Sequence, residues 1–329
     1  MVCSAFRGLP VSAAKAFCPG HITGFLGKVS KIDNIASNYL FVGSLGAGVA
    51  IDHGIVTTVK VFNDIDNNIN QRTIDYQISI NGLIYDTGDF DDDNNNVDVS
   101  KSVVQEYIRL TQRHPYYIEI EHKANIPIGY GLASSGAAAL SLSYALNNAL
   151  KVGLDREQAA QIAHFSEIKC KTGLGSVIGQ YVGGFELRSA IGAPGIGIVD
   201  KIATTISNYK VVILCLSPIF TKSYLDECID LINGTGEKML QRLKLSKDIN
   251  DFLDMSYEFS CNLGLIQGKT EAPILKLKSL GFSCSVALFG ETVFTIVPYY
   301  DVNEVVNSLR HFDGMLLVCD IDNEGARIV

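Results

Sequence analysis

The chain has 329 residues, 47% of them hydrophobic and 19% charged, with a net charge of −8. That length holds two domains or one large one with a well-buried core, and that composition excludes a disordered chain. The acidic balance argues against a general nucleic-acid binder, which needs clustered Lys and Arg to meet phosphates. There is no apolar run long enough to cross a membrane and no uninterrupted apolar segment after Arg7 and Lys15 that would read as a signal peptide. The eight cysteines are Cys3, Cys18, Cys170, Cys215, Cys228, Cys261, Cys284 and Cys319, scattered without Cys-x-x-Cys or zinc-like spacing. Most lie in apolar runs and read as buried free thiols of a reducing compartment. A cytoplasmic protein without membrane or nucleic-acid partners is expected; a homodimer is left open.

Residues 1–15 read as a lead-in, and Ala16 to Phe25 as a short strand broken by a turn at Pro19-Gly20. Val42 to Asp52 reads as a glycine-rich turn entering a buried strand, and the β-branched run Ile55 to Val61 as another strand. Ile74 to Ile80 alternates, and Asn81-Gly82 before Leu83 predicts a tight hairpin. The acidic stretch Asp86 to Asp98 has Asp89, Asp91 and Asp93 at calcium-loop spacing, but Asn94 and Ser100 stand where such a loop needs Gly and Glu. A solvated surface loop is the better reading. Ser100 is expected to cap a helix with Val103, Val104, Tyr107 and Ile108 on one face. Tyr116, Ile118 and Ile120 then mark a half-buried strand.

The stretch Asn125 to Lys151 organises the rest. Gly129 and Gly131 allow a tight backbone approach to a ligand, and Ser134 or Ser135 is expected to cap the Ala- and Leu-rich helix that follows. Unpaired N–H groups and the positive end of the helix dipole make such a loop an anion site, with phosphate the usual guest. The plainer alternative is a glycine-rich turn before a buried helix. The loop is neither a Walker P-loop nor a dinucleotide fingerprint. Asp155 and Gln158 form a capping box for a helix from Arg156 to about Cys170. Lys171 to Gln180 is a third small-residue turn, followed by Gly183 to Arg188.

A boundary is expected near Asn208, dividing the chain into 1–207 and 208–329. The second part reads as a strand (Val211 to Leu216), helices over 223–233, 236–246, 248–264 and 271–280, and strands Ser283 to Phe289 and Thr292 to Pro298. A helix (Val302 to Phe312) and a last strand (Met315 to Asp320) follow. That order suggests an α+β layer on a mostly antiparallel sheet. Three small-residue turns in the first part are consistent with one polyphosphate cleft, because phosphoryl transfer asks mainly for positioning, a metal and donors to the equatorial oxygens.

Pro127-Ile-Gly-Tyr-Gly131-Leu132-Ala133-Ser134-Ser135-Gly136 resembles the second motif of the GHMP (galactose, homoserine, mevalonate, phosphomevalonate) kinases, roughly P-x-x-x-G-L-G-S-S-A. Ala133 and Gly136 depart from it, small for small. Within that superfamily the archaeal pantoate kinases are most similar. The resemblance is carried by Pro19-Gly20-His21-Ile22-Thr23-Gly24-Phe25, Gly43 to Gly48, Thr172-Gly173-Leu174-Gly175 and Ser283 to Phe294. It spans about residue 16 to residue 296. It implies an α+β two-domain fold, with an N-terminal domain like ribosomal protein S5 domain 2 and a ferredoxin-like C-terminal domain. It also implies ATP and Mg2+.

By position, Pro127, Gly129, Gly131, Ala133, Ser134, Ser135, Gly136 and Ala137 would wrap the ATP phosphates. Ser134 or Ser135 would reach magnesium together with Glu167, a hard oxygen ligand; the alternative for Glu167 is a surface carboxylate. His21 and Thr23 would sit near the acceptor, His21 as a catalytic or anion-binding group or as a structural histidine. Ser44 and Gly46 would help to hold an acid substrate. Arg188 would clamp a carboxylate or phosphate with its planar fork, or form a surface ion pair. One departure bears on catalysis: the related turn reads T-G-L-G-D-V, with its Asp placed as a base, and here that position is Ser176. A serine cannot take a proton in the same way, so either orientation and charge stabilisation suffice or the substrate differs. Three activities stay open. The first is phosphorylation of a primary hydroxyl on a small branched hydroxy acid, pantoate to 4-phosphopantoate in coenzyme A synthesis. The others are 5-phosphorylation of mevalonate 3-phosphate in isoprenoid synthesis and a non-catalytic nucleotide-binding regulator.

Overall fold

The computed structural model describes residues 8–30, 39–63, 75–85, 97–111, 116–202, 208–219 and 224–329, except the side chains of 116, 224–231 and 233–235. Residues 86–96 of the acidic stretch, Arg7 and residues 203–207 before the expected boundary lie outside them.

Two long strands open the fold, β1 (Ser12–Val29) and β2 (Ser44–Asn63), paired antiparallel. Both carry apolar residues on both faces and are buried along most of their length, as strands covered on two sides must be. The expected turn at Pro19-Gly20 is instead a bulge inside β1: Pro19 pairs with Gly54 and Gly20 with Ile51, so Asp52 and His53 of β2 have no partner opposite. Proline lacks the N–H that a regular ladder would use, and a bulge absorbs that loss without ending the strand. The expected glycine-rich turn at Val42 to Asp52 is likewise strand from Ser44 onward.

The hairpin of β3 (Asp75–Ile80) and β4 (Leu83–Tyr85) forms as expected, with Asn81 at φ 49° and Gly82 at φ 82°. Positive φ at both central residues is the turn that matches strand twist. Next come α1 (Asp98–Thr111), β5 (Tyr116–Ala124), α2 (Ser134–Ala149), α3 (Arg156–Cys170), α4 (Ser176–Val182), β6 (Phe185–Ala190) and β7 (Ile198–Lys201). The α3 capping box is present, with Gln158 N donating to Asp155 at 2.8 Å and Asp155 N donating to Gln158 at 3.0 Å. Ser100 lies within α1 and is not its cap; its hydroxyl meets His122 at 3.1 Å.

The remainder is β8 (Tyr209–Ser217), α5 (Tyr224–Ser246), α6 (Ile249–Asn262), α7 (Glu271–Ser279), β9 (Ser285–Val286), β10 (Glu291–Pro298), α8 (Val302–Leu309), β11 (Met315–Cys319) and β12 (Arg327–Ile328). The two helices expected over 223–246 are one. A Cβ at Gly236 would lie 1.8 Å from the Leu26 carbonyl oxygen, so that glycine serves a close approach to β1 rather than a break.

The first sheet has eight strands in the order β12-β1-β2-β5-β3-β4, with β6 pairing β2 and β7 pairing β6. The second has four antiparallel strands in the order β11-β8-β10-β9, the arrangement of a ferredoxin-like sheet. The α+β expectation is borne out. The large apolar core draws on both sheets, and Phe252 of α6 joins them. Its ring centroid lies 6.2 Å from Phe25, 4.9 Å from Phe185 and 6.3 Å from Phe294.

Candidate active site

Where the two sheets meet, a cleft opens to solvent, lined by the loop before α2, the loop before α4, the cleft-facing part of β1 and the Leu288-Phe289 turn. Ala133 precedes α2 with φ 54° and ψ 40° and no side chain caps the helix, so neither Ser134 nor Ser135 plays the expected capping part. Both serines are the first helical residues and line the cleft. The ladder begins with Ala137 N donating to Ala133 O at 3.0 Å, which leaves the preceding N–H groups without helical partners. The left-handed backbone at 133 explains why related loops use glycine there; alanine carries about 1–2 kcal/mol of strain. The glycine at 136 has a reason of its own. A Cβ there would come 2.5 Å from Gln180 Oε1, and Gln180 is held by donating to Pro19 O and Ala133 O, each at 2.9 Å.

Glu167 of α3 is not a surface carboxylate: it is 2% exposed and lies behind the cleft-lining Thr172 and Ser176. Thr172 donates to its Oε1 at 2.8 Å and Ser176 to its Oε2 at 3.0 Å, and Ser135 bonds it too. Burial raises its pKa above the usual carboxylate value, and the three hydroxyls pull it partly back. A Cβ at Gly173 would fall 2.1 Å from Glu167 Oε2, so the glycine makes room for the carboxylate.

The third cluster joins β1 to β6. His21, Glu186 and Arg188 are all buried, and Glu186 and Arg188 share a strand face by their spacing of two. His21 Nε2 lies 2.9 Å from Glu186 Oε1, and Nδ1 lies 3.4 Å from Thr23 Oγ1. Burial lowers the His21 pKa against the pull of Glu186. Burial alone would raise Glu186, but the Arg188 charge and the His21 hydrogen bond outweigh it and hold the carboxyl below its usual value. The histidine is therefore neutral: Nε2–H donates to the carboxylate, and Nδ1 accepts from the Thr23 hydroxyl. That leaves the Thr23 oxygen free to accept a bond from the cleft. Arg188 is no surface ion pair either. It is 1% exposed and donates from Nη1 to Gly175 O at 2.9 Å, while Nε and Nη2 have no hydrogen-bond partner among the described residues. Ser44 Oγ, also on the cleft, is likewise unpartnered among them. Gly46 lies in β2 beneath the guanidinium; a Cβ there would meet Arg188 Nη2 at 2.8 Å.

Of the residues singled out in sequence, His21, Thr23, Ser44, Gly129, Gly131, Ala133, Ser134, Ser135, Ser176 and Arg188 line the cleft together. Gly46, Gly136, Ala137 and Glu167 stand behind that surface, and Pro127 lies away from it among the described contacts. Sequence reasoning missed Glu186, Gln180 and Thr172. A carboxylate two residues before an arginine in an apolar strand was the available signal for Glu186; Gln180 offered none. Amides at a helix start, an unfinished buried guanidinium and a hydroxyl-ringed carboxylate together suit a polyphosphate, an acidic acceptor and a hard divalent cation.

Residues 99–184 match the GHMP kinases N terminal domain. The chain is 32% identical over 308 residues to the pantoate kinase of Methanocaldococcus jannaschii, covering 93% of this chain and 99% of that protein. It is 30% identical over 298 residues to the pantoate kinase of Thermococcus kodakarensis, covering 86% and 87%. Among solved structures it superposes with a TM-score of 0.82 and 25% identity on a phosphotransferase related to the CoA biosynthesis pathway, over 96% of this chain and 98% of that one. A mevalonate-3-kinase from Thermoplasma acidophilum, bound to mevalonate 3-phosphate and ADP, shares the fold with a TM-score of 0.64 and 14% identity over 97% and 98%.

Proposed function

Because the chain belongs to the pantoate kinase family of GHMP kinases, we propose that it transfers the γ-phosphoryl group of ATP to the primary hydroxyl of pantoate, for coenzyme A synthesis. The observation that carries the substrate choice is Arg188, a fully buried guanidinium whose Nε lies 3.5 Å from Glu186 Oε1, an ion pair too long for a hydrogen bond, and whose Nη2 has no hydrogen-bond partner among the described residues. A buried donor without a hydrogen bond is destabilising, and a carboxylate on the acceptor would supply one to the open edge of the guanidinium. Arg188 is the only cation among the described cleft-lining residues, His21 being neutral. That balance suits a monoanionic acid and argues against mevalonate 3-phosphate, whose phosphate would need a second cation. Catalytic relatives along nearly the whole chain argue against the non-catalytic reading.

In this reading the amides of residues 134–136 hold the nucleotide phosphates, and the loop glycines keep side chains out of their path. Glu167 and the Ser135 hydroxyl would hold Mg2+, which would supply neutralisation of phosphate charge. Ser176 is not a base: its hydroxyl donates to Glu167 and fixes that carboxylate in place. Thr23, oriented by neutral His21, accepts the hydrogen bond of the acceptor alcohol and aims its oxygen. Arg188 and Ser44 fix the acid end, so the chain contributes orientation and electrostatics rather than a carboxylate base. We also propose a division at 207/208, supported by the second sheet beginning at Tyr209; the residues from Asp320 onward then return to the first sheet. The free cysteines among the described residues support a reducing, cytoplasmic setting.

A coupled ADP-release assay with pantoate, pantothenate, mevalonate and mevalonate 3-phosphate tests the proposal. Turnover is expected with pantoate; turnover only with mevalonate 3-phosphate, or with none of the four, overturns it.

A further inference from the structure

The bulge at Pro19 and Gly20, next to the cleft-lining His21, has a second side. Asp52 and His53, the two β2 residues it leaves without a partner on β1, stand beside Cys319 at the end of β11. One ligand atom from each of the three lies within 4.8 Å of the others, and His53 Nδ1 is 2.9 Å from Asp52 Oδ1. Tetrahedral zinc sites bring N, O and S ligands to about 3.5 Å from one another, so small rotamer changes would close this set around an ion. The backbone already fixes the two strands at this point: Asp52 N donates to Asp320 O and Asp320 N to Asp52 Oδ1, both at 3.0 Å. Lys210 does not compete for Asp52, because its ammonium is taken by Asp320.

From this geometry we propose that Asp52, His53 and Cys319 form a zinc-type divalent-metal site, separate from the cleft, that clips the β2 bulge of the first sheet to β11 of the second. The residue types select the ion: one thiolate, one imidazole and one carboxylate suit zinc rather than magnesium or calcium, which take oxygen ligands. The partly exposed Asp52 and His53 face solvent and leave room for a water as fourth ligand. The same three residues do not make a nucleophilic triad. Burial, then the nearby Asp52, Cys215 and Asp320, push the Cys319 thiol up to about 12, so it keeps its proton until a cation displaces it. Metal binding would release that proton and convert the surrounding negative charge from a liability to a ligand field. The clip acts on the cleft only at a distance: a Cβ at Gly20 would lie 2.8 Å from the His53 carbonyl oxygen, so fixing the bulge fixes the backbone beside His21.

The test is titration of chelator-stripped full-length protein with Co2+ in excess Mg2+, which occupies oxygen-only sites. The expected result is a near-ultraviolet thiolate-to-cobalt charge-transfer band that saturates at one ion per chain and disappears when zinc is added. Cys319→Ser removes the band, and His53→Gln, at a partly exposed position that should not disturb folding, weakens cobalt binding at least about tenfold. Zinc raises the melting temperature of the parent protein but not of His53→Gln. Kinase activity of both variants at saturating Mg2+ stays within about twofold, because neither side chain lines the cleft. Absence of the band from the parent protein, its persistence in Cys319→Ser, or unchanged affinity in His53→Gln would each overturn the proposal.

Discussion

His21 and His122 are both buried histidines on the first sheet, yet their surroundings differ in one decisive respect. His122 is closed on all sides. Its Nδ1 meets Thr57 at 2.7 Å and its Nε2 meets Ser100 at 3.1 Å, while Thr57 pairs with Ser141 at 2.6 Å and Ser141 donates to Ala137 O at 2.7 Å. Around His21 the network is open: Arg188 and Glu186 pair at 3.5 Å, yet Arg188 Nε and Nη2, Glu186 Oε2 and Ser44 Oγ lack hydrogen-bond partners among the described residues. A completed buried network fixes a core, whereas an incomplete one is tolerated where a ligand completes it. The contrast separates scaffold from site more sharply than burial does, since both clusters are buried.

Breaking the open cluster should have the largest effect. Arg188→Met is expected to lower kcat/KM for the acid acceptor by roughly two to three orders of magnitude, the usual consequence of truncating a buried charge partner, with the KM for ATP little changed. Steady-state kinetics with each substrate varied in turn checks this; an equal rise in both KM values would place Arg188 elsewhere in the mechanism. Next, Glu167→Gln should cut turnover about a hundredfold and abolish its rise with Mg2+, yet leave the melting temperature unchanged or higher. The sign follows from burial, which disfavours the charged form in the absence of a cation. Loss of metal dependence alongside loss of folding would defeat that reading.

The closed cluster should respond in stability and not in catalysis. Burial holds His122 at about 4, below the ordinary histidine value of 6.5. As pH falls from about 6.5 toward 4 the unfolded chain takes up a proton that the folded chain refuses, so stability is lost by up to about 3 kcal/mol. Urea melts of the parent and of His122→Gln across that range should show a shallower acid slope in the variant, the buried His21 and His164 accounting for the rest. Neutral-pH kinetics should be unaltered. The smallest effect is expected at Ala133→Gly, where relief of the left-handed backbone and the added chain entropy nearly cancel, within about 1 kcal/mol. A large change there, read by thermal melting, would mean the loop is held by more than its backbone.

Most strands, the hairpin, the α3 capping box and the tight loop before α2 were legible because each is written locally, in periodicity or in turn residues. The lining of the cleft was legible where backbone shape makes it, at Gly129, Gly131, Ser134 and Ser135. It was less legible where partners are remote. Nothing near Gln180 announces that it will bind Pro19 and Ala133, and Ser100 looked like a cap because its true partner, His122, lies on another strand. Glycine misled in one direction: at Gly236 and Gly46 it marks close packing inside regular structure, where the sequence suggested a break.

One aromatic ring carries a consequence for how the molecule comes apart. Phe252 abuts Phe25 and Phe185 of the first sheet and Phe294 of the second, so one face of the second sheet shares its core with the first, while its other face packs with α7 and α8 in a cluster of its own. Calorimetry should therefore record a single heat-absorption peak for the whole chain, and severing the polypeptide near residue 207 should leave each piece with an apolar face bared to water.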